Sequence, residues 1–436
     1  MIFFCFFLQI NYNRFNLSKK GENFMTIIQI AQKISNAGGR LYLVGGAVRD
    51  LLLELTVHDK DYCVTGLSPQ SFETLFPQAI LQGKHFPVYI LNDSEFALAR
   101  TEKKAGEKHI DFICDSSPSI TIEEDLARRD LTINSIAIDV LTQEIIDPFH
   151  GQEDIKNNIL RITSSAFCED PLRVYRVARF ASQFNFHIET TTLAMMRSMK
   201  DSLSHLSVER VFQEFRKALL TNHPSTFFQV LRDTNCLNVH FQEIADLIGV
   251  EQPLLYHPEG DAYNHTMQIL EKVSTQTNDE LTRFGALVHD FGKAVTPREN
   301  WPHHYNHDKL GVTVVQSFCH RLKMPILFSK AGSVSSREHM LAGIYSNLKP
   351  GTKIDFFERI YRSKSLSFEG LEIIANADTE KTPPIRFAKI GKQIMTNIHL
   401  SELDLKKLQS KKDFEKIKQV LRDKRIRALQ KFESKK

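Results

Sequence analysis

The chain has 436 residues, 42% hydrophobic and 25% charged, with 19 glycines and 15 prolines. Those values exclude a minimal peptide, a fibrous repeat and a low-complexity chain, and the length suits about three compact units. Formal net charge is only +4, yet residues 401–436 hold a local excess of seven positive charges, which fits either a phosphate-binding arm or a solvated amphipathic helix.

The longest apolar run, Met1–Ile10, is half of the roughly 20 residues that a spanning helix needs, so no multi-pass membrane protein and no membrane partner is expected. It lacks a basic n-region and a small-residue cleavage site, and a helical pattern begins cleanly at Met25. We therefore expect residues 1–24 to be an extension ahead of the true start and not a signal peptide. The six cysteines, at 5, 63, 114, 168, 236 and 319, include no CxxC pair. This argues for a reducing, cytoplasmic location and against a thiolate zinc site.

After the helix at Met25, β-type runs follow at Leu41–Val44, Tyr62–Val64, Val88–Leu91 and Phe96–Leu98. This predicts an α+β head with a small mixed or antiparallel sheet over residues 25–150. From Gln152 onward helical periodicity dominates, with stops near Pro224, Pro253, Pro350 and Pro384. The expected division is a helical region 151–240, a second helical domain 241–380 and a basic helical tail 381–436.

The first chemical constellation is LVGGAVRDLLLELTVHDKDYCV. A Gly-Gly turn follows an apolar strand, then come Arg49 and two carboxylates, Asp59 and Asp61, spaced i, i+2 so that a strand puts both on one face. Like charges held together point to a bound divalent cation, with Mg²⁺ and a triphosphate as the natural tenants. The two glycines, Gly45 and Gly46, let backbone approach phosphate, and Arg49 supplies a charge-assisted contact. Further along, Arg128, Arg129, Asp130 and Asn134 fall on a helix-forming stretch, with Asp130 and Asn134 four apart on one face. In EDPLRVYRVARF, Asp170 is a candidate N-cap ahead of Pro171, and Arg173, Arg176 and Arg179 recur every third residue as a cationic stripe.

These motifs resemble the nucleotidyltransferase superfamily, and RRDxxxN with EDxxR resembles its class II tRNA nucleotidyltransferases, closest to the bacterial branch with an appended HD phosphohydrolase domain. The resemblance implies Asp59 and Asp61 as catalytic Mg²⁺ ligands. It implies Gly46, Arg49, Arg129, Asp170, Arg173, Arg176 and Arg179 as the ATP- and CTP-binding set. Cytosine and adenine share an exocyclic amine beside a ring-nitrogen acceptor, which a carboxylate and a guanidinium read together; the resemblance gives that role to Asp170 and Arg173. A third metal carboxylate is left unassigned, with Asp111 a candidate. One departure is Glu54, where the family usually has Gly.

Eight of the 17 histidines lie between 257 and 378. The order His265, His289-Asp290, Asp378 resembles the HD phosphohydrolases, which hold one or two divalent metals. His265, His289, Asp290 and Asp378 are the expected ligands, His307 and His339 further candidates, and a transition metal such as Ni²⁺ the expected ion. Such a centre implies phosphatase, 2′,3′-cyclic phosphodiesterase or 2′-nucleotidase activity; a vestigial domain kept for packing is the alternative. The function implied for the whole is addition or repair of the 3′-terminal CCA of tRNA from CTP and ATP, in a monomer or homodimer. A poly(A) polymerase-like nucleotidyltransferase is the alternative.

Overall fold

Thr26 opens the first helix, α1 (Ile27–Asn36): its hydroxyl accepts the Gln29 N–H, while the Gln29 side chain accepts the Thr26 N–H at 2.7 Å. This reciprocal capping box satisfies two otherwise orphaned donors, and it places the helix start where the sequence pattern did. The structure is a computed structural model that describes residues 25–57, 60–83, 87–104, 112–255, 258–379, 383–401 and 414–434. The extension 1–24, Asp59, Asp111 and residues 402–413 of the tail lie outside the described residues.

The chain forms two compact units. The first runs to Leu206 apart from Ser182–Phe184; the second comprises those three residues and Ser207 onward.

In the first unit the strands are β1 (Arg40–Val44), β2 (Asp61–Thr65), β3 (Ile80–Gln82), β4 (Val88–Leu91), β5 (Ser94–Leu98), β6 (Thr101–Lys104), β7 (Phe112–Asp115), β8 (Ala137–Asp139) and β9 (Ile145–Ile146). Seven form one sheet in the order β3-β4-β5-β2-β1-β8-β9, and β6 pairs with β7 alone. Only β2 and β5 pair parallel within the large sheet, so the sheet is mixed, as expected. Leu41 to Val44 are all buried, which is why β1 reads as an unbroken apolar run where a half-exposed strand would alternate. Phe76, Tyr89 and Phe96 pack ring to ring around Phe72. The helices that matter for the site are α2 (Gly46–Leu52), leaving β1 directly, α3 (Ile122–Ala127) and α4 (Leu172–Phe184).

The second unit is helical. Its main elements are α5 (Ala262–Ser274), α6 (Glu280–Val288), α7 (His307–Arg321), α8 (Ile326–Gly343), α9 (Pro350–Ser363), α10 (Phe368–Thr379) and α11 (Phe414–Glu433). Phe215, Phe228, Phe241, Phe284 and Phe318 pack together as an aromatic core. Arg283 is almost fully buried, and its five guanidinium hydrogen bonds include the carbonyls of Leu219, Thr221, Ser274 and Thr277; a planar five-donor fork is the side chain that can close so many chain ends at once.

The basic helix α11 is more than a solvated arm. Leu429 is buried, Arg422 forms a two-bonded pair with Asp355 at 2.8 and 2.9 Å, and Arg425 reaches Glu358. Part of the tail's positive charge therefore balances acids on α9. Among the described residues no helix is long and apolar enough to cross a membrane.

Candidate functional site

The first site is built where β1 hands the chain to α2. Gly45 carries φ +69°, and a Cβ placed on it would meet Arg129 Nη1 at 2.7 Å. Both constraints demand glycine at 45. Gly46, the other expected phosphate-approach residue, is the first residue of α2, where an added Cβ would make only an ordinary contact at 3.5 Å with Arg49. Of the two glycines that the sequence pairs in this turn, the steric requirement therefore falls on the first.

Arg49 is buried, and its guanidinium donates to Asp50 Oδ1 and, through Nη1, to Asn134 Oδ1 at 2.7 Å. Asn134 Nδ2 in turn donates to Asp130 Oδ1 at 2.9 Å, and Arg176 Nε donates to Asp130 Oδ2 at 2.7 Å. Residues from three distant motifs thus share one polar chain. Burial alone would raise the Asp130 carboxyl; Arg176 and Asn134 outweigh it and hold it well below the usual range.

The stretch from 128 to 134 is not the continuous helix expected. α3 ends at Ala127, Leu131 is extended and bridges Ile162, and Thr132–Asn134 is a single 3-10 turn. The physical reason is local. Arg128 and Arg129 fold back onto the buried Asp125 at 2.7 and 3.0 Å, and the Asp130 carboxylate takes the Leu131 N–H, which competes with helix propagation. Asp130 and Asn134 still meet, through the turn.

Asp170 is extended, its carboxylate accepts the Leu172 N–H at 3.1 Å, and Pro171 already has helical dihedrals. The capping expectation holds. Arg173 donates through its two Nη atoms to the carbonyls of Ala166 and Arg128, both at 2.5 Å. The arginine triplet is not a uniform exposed stripe: Arg173 and Arg179 are buried and Arg176 is partly exposed. Spacing by three drifts about 60° per step around a helix of 3.6 residues per turn, so three such residues cannot share one exposure. Arg49, Arg176 and Arg179 instead gather around Phe180, with Cζ to ring-centroid distances of 5.2, 5.5 and 4.0 Å.

Asp61 begins β2 with its side chain exposed, opposite Val44 on β1 and Glu95 on β5. Glu54, the departure noted in the sequence, sits at φ +58° just after α2. The Glu54 N–H reaches Leu51 and the Leu55 N–H reaches Asp50. This Schellman closure is the place where glycine is normally favoured.

The second site gathers every expected ligand. His265 lies on α5, His289 caps α6 and precedes Asp290, His307 opens α7, His339 lies on α8 and Asp378 near the end of α10. Two groups share Asp290: His265 and His289 on one side, His307 and His339 on the other. Asp378 Oδ1 joins the first at 3.0 Å from His265 Nε2. Gly292 makes this possible, because a Cβ there would lie 1.9 Å from the His307 carbonyl oxygen; the HDFGK turn can approach α7 only without a side chain.

The ring nitrogens identify the chemistry. Nδ1 of His289, His307 and His339 faces the carbonyls of Ala286, His304 and Ser336 at 2.7, 2.6 and 2.8 Å. A carbonyl only accepts, so each Nδ1 carries a proton and each ring turns its Nε2 inward. His307 Nε2 and His339 Nε2 are 3.1 Å apart, an arrangement of two acceptors that a cation reconciles. His289 Nε2 and both Asp290 carboxylate oxygens are buried without a hydrogen bond. Lys293 Nζ lies 2.6 Å from Asp290 Oδ2, off the hydrogen-bonding direction, and donates to Gln252 Oε1 at 2.6 Å. Burial would raise Asp290, but His289 and Lys293 keep it ionised far below the usual range. Burial lowers His339 to about 4, so its ring is neutral at physiological pH. Orphaned inward donors of this kind fit divalent metal.

Sequence reasoning missed Asp125, Lys293 and Glu259, the last 2.6 Å from His265 Nδ1. Lys293 was legible as the close of HDFGK. Glu259 carried no signal, since it lies in a loop without periodicity.

Residues 41–161 match the family described as "Poly A polymerase head domain", residues 185–248 "Probable RNA and SrmB- binding site of polymerase A", and residues 260–378 "HD domain". Among solved structures, the chain is similar to the Bacillus stearothermophilus CCA-adding enzyme in complex with CTP, with a TM-score of 0.58 and 23% identity over 92% of this chain and 91% of that one. It is also similar to the Thermotoga maritima CCA-adding enzyme complexed with tRNA, with a TM-score of 0.61 and 18% identity over 92% and 89%. At those identities the likeness concerns the fold. A curated relative, the "Multifunctional CCA protein" of Mannheimia succiniciproducens, is 44% identical over 352 residues, which is 78% of this chain and 83% of that protein. At that identity and coverage, with the head and HD domains both matched, this chain belongs to the multifunctional CCA protein family.

Proposed function

We propose that this protein adds or repairs the 3′-terminal CCA of tRNA from CTP and ATP in its N-terminal unit and hydrolyses phosphate esters in its HD domain. The observation that carries the first half is the polar chain Arg49–Asn134–Asp130–Arg176, which ties the glycine turn, the RRDxxxN motif and the EDxxR helix into one site.

In this reading Asp59 and Asp61 hold Mg²⁺. A divalent ion at that place supplies charge neutralisation and activation for attack of the tRNA 3′-hydroxyl on the α-phosphorus, with pyrophosphate leaving. The chain's own residues do the rest. The Gly45-Gly46 turn admits the triphosphate, Arg49 and Arg129 compensate its charge, and Arg176 and Arg179 flank the nucleotide beside Phe180. Asp170 and Arg173 select the base, the carboxylate accepting from the exocyclic amine shared by cytosine and adenine. Residues 25–150 act as the head, 151–240 as the nucleotide- and tRNA-binding body, 241–380 as the HD domain and 381–436 as the tail.

The HD centre takes one or two divalent ions between His265, His289, Asp290, His307, His339 and Asp378, with Ni²⁺ a candidate; metal there supplies an activated water for a phosphomonoester or a 2′,3′-cyclic phosphate. Lys293 faces that centre and suits the phosphate charge.

The test is incorporation of each labelled NTP onto tRNA lacking its last three nucleotides, with Mg²⁺. Ordered addition of C, C and A that then stops is expected; untemplated runs of A would make the protein a poly(A) polymerase. Asp59→Ala should abolish addition and spare phosphatase activity, and His289→Ala should do the reverse. Loss of both activities in either variant would overturn the separation of sites.

A further inference from the structure

The four histidines of the HD centre are not held alike. His289, His307 and His339 direct Nδ1 to neutral backbone carbonyls, whereas His265 directs Nδ1 to the Glu259 carboxylate at 2.6 Å. Both partners of that pair are nearly buried, the side chains being 4% and 10% exposed. A carboxylate behind an imidazole fixes its tautomer and raises the basicity of the opposite nitrogen more than an amide carbonyl does. The opposite nitrogen, His265 Nε2, lies 3.0 Å from Asp378 Oδ1 and 3.7 Å from Asp290 Oδ2.

The two halves of the centre therefore differ in charge as well as in ligands. The half formed by His265, His289, Asp290 and Asp378 has two carboxylates and a third, Glu259, directly behind it, against one lysine, Lys293, 2.6 Å from Asp290 Oδ2. Among the described residues, the half formed by His307 and His339 has only the shared Asp290, with neutral carbonyls behind both rings. We propose that Glu259 is a positioning residue that makes the His265 half the tight metal site, so that the HD centre loads in order, the His265 half first and the His307/His339 half second. The proposal rests on reading this cluster as a metal centre. It concerns the occupancy of the site, and it assigns Glu259 no contact with substrate.

The alternative for the same geometry is a purely structural clamp, in which His265 is a charged bridge between Glu259 and Asp378 and contributes nothing to metal. The two differ in what Glu259→Gln does. The amide keeps the shape and the ability to accept from Nδ1, and removes the charge.

The experiment is a Co²⁺ titration of the full-length protein in millimolar Mg²⁺, which occupies the head carboxylates, followed through the visible absorption of Co²⁺ bound to imidazole. The unaltered protein should show two steps. Glu259→Gln should weaken the first by about 10- to 100-fold and leave the second within a factor of about three, and Glu259→Asp should restore part of the loss. Unchanged first-step affinity, or an equal shift in both steps, would overturn the proposal. His289→Ala gives the separate control: if it too leaves the Co²⁺ isotherm unmoved, the cluster is not a metal centre and the underlying reading fails instead. Thermal unfolding in chelator should be the same for Glu259→Gln and the unaltered protein, which distinguishes a metal effect from a folding one.

Discussion

Arg176, on the EDxxR helix, donates to Asp130 of the RRDxxxN motif at 2.7 Å, although 46 residues separate them. Asp130 is buried, and its other oxygen is taken by Asn134 and the Leu131 N–H. The ion pair therefore fixes α4 against the 130–134 turn, whose Asn134 in turn holds Arg49 on α2.

Replacing Asp130 with Asn tests that coupling. The amide keeps the volume but leaves the Arg176 guanidinium beside a neutral group; Arg176 is 35% exposed, so water screens part of the loss and the cost is about 1–2 kcal/mol. Incorporation of CTP and of ATP should fall together, by at least about tenfold, because the helix serves both; a loss confined to one nucleotide would place Asp130 in base choice. Arg173→Ala should behave differently, relaxing the preference for CTP and ATP over UTP and GTP. Unchanged selectivity in single-nucleotide assays would remove Arg173 from that role.

Gly45 and Gly46 are adjacent and look equivalent in the sequence, yet the fold treats them differently. Gly45→Ala forces a β-carbon into the left-handed region and within 2.7 Å of Arg129 Nη1, so a loss of about 1–3 kcal/mol and poorer nucleotide binding are expected. Gly46→Ala meets Arg49 at 3.5 Å in a helical position and should leave stability within about 1 kcal/mol. Urea unfolding followed by circular dichroism compares the two, and equal losses would contradict the assignment.

That pair marks how far the sequence could be read. The glycine turn, four of the head's nine strands and all six residues of the HD cluster were visible because each leaves a local signature: an apolar run, a dipeptide, a histidine in order. What was not visible depended on tertiary partners. Residues 128–134 look helical by composition, but the buried Asp125 and the Leu131–Ile162 bridge draw them into a turn. The arginine triplet reads as one surface, but packing buries two of its members. Glu259 became recognisable only once the fold set it against His265.

Glu54 offers a stabilising change. A glutamate at φ +58° occupies a conformation that costs an L-residue about 1 kcal/mol and costs glycine almost nothing. Glu54→Gly should stabilise the N-terminal unit by about 0.5–1 kcal/mol after the extra flexibility of glycine in the unfolded chain is counted. The one tryptophan, Trp301, lies in the C-terminal unit, so its fluorescence transition should stay in place while the circular dichroism transition of the head moves up. A shift of both, or of neither, would count against the argument.

Asp125, like Asp130, contributes to the acid stability of the head. It is almost completely buried. Burial alone would raise its carboxyl, but Arg128 and Arg129 bring it down to about 2, against 3.8 for the free side chain. A carboxyl depressed on folding binds fewer protons in the folded state than in the unfolded state between those two values. Its stabilising contribution, about 2 kcal/mol, is therefore complete above pH 4 and disappears as the pH falls through about 2. Asp125→Asn removes the charge at every pH. The stability gap between the two proteins, measured by urea unfolding of the head at intervals from pH 7 to pH 2.5, should be constant down to about pH 4.5 and then narrow. A gap that stays constant to pH 2.5 would mean that Asp125 contributes through shape and hydrogen bonding and not through its charge.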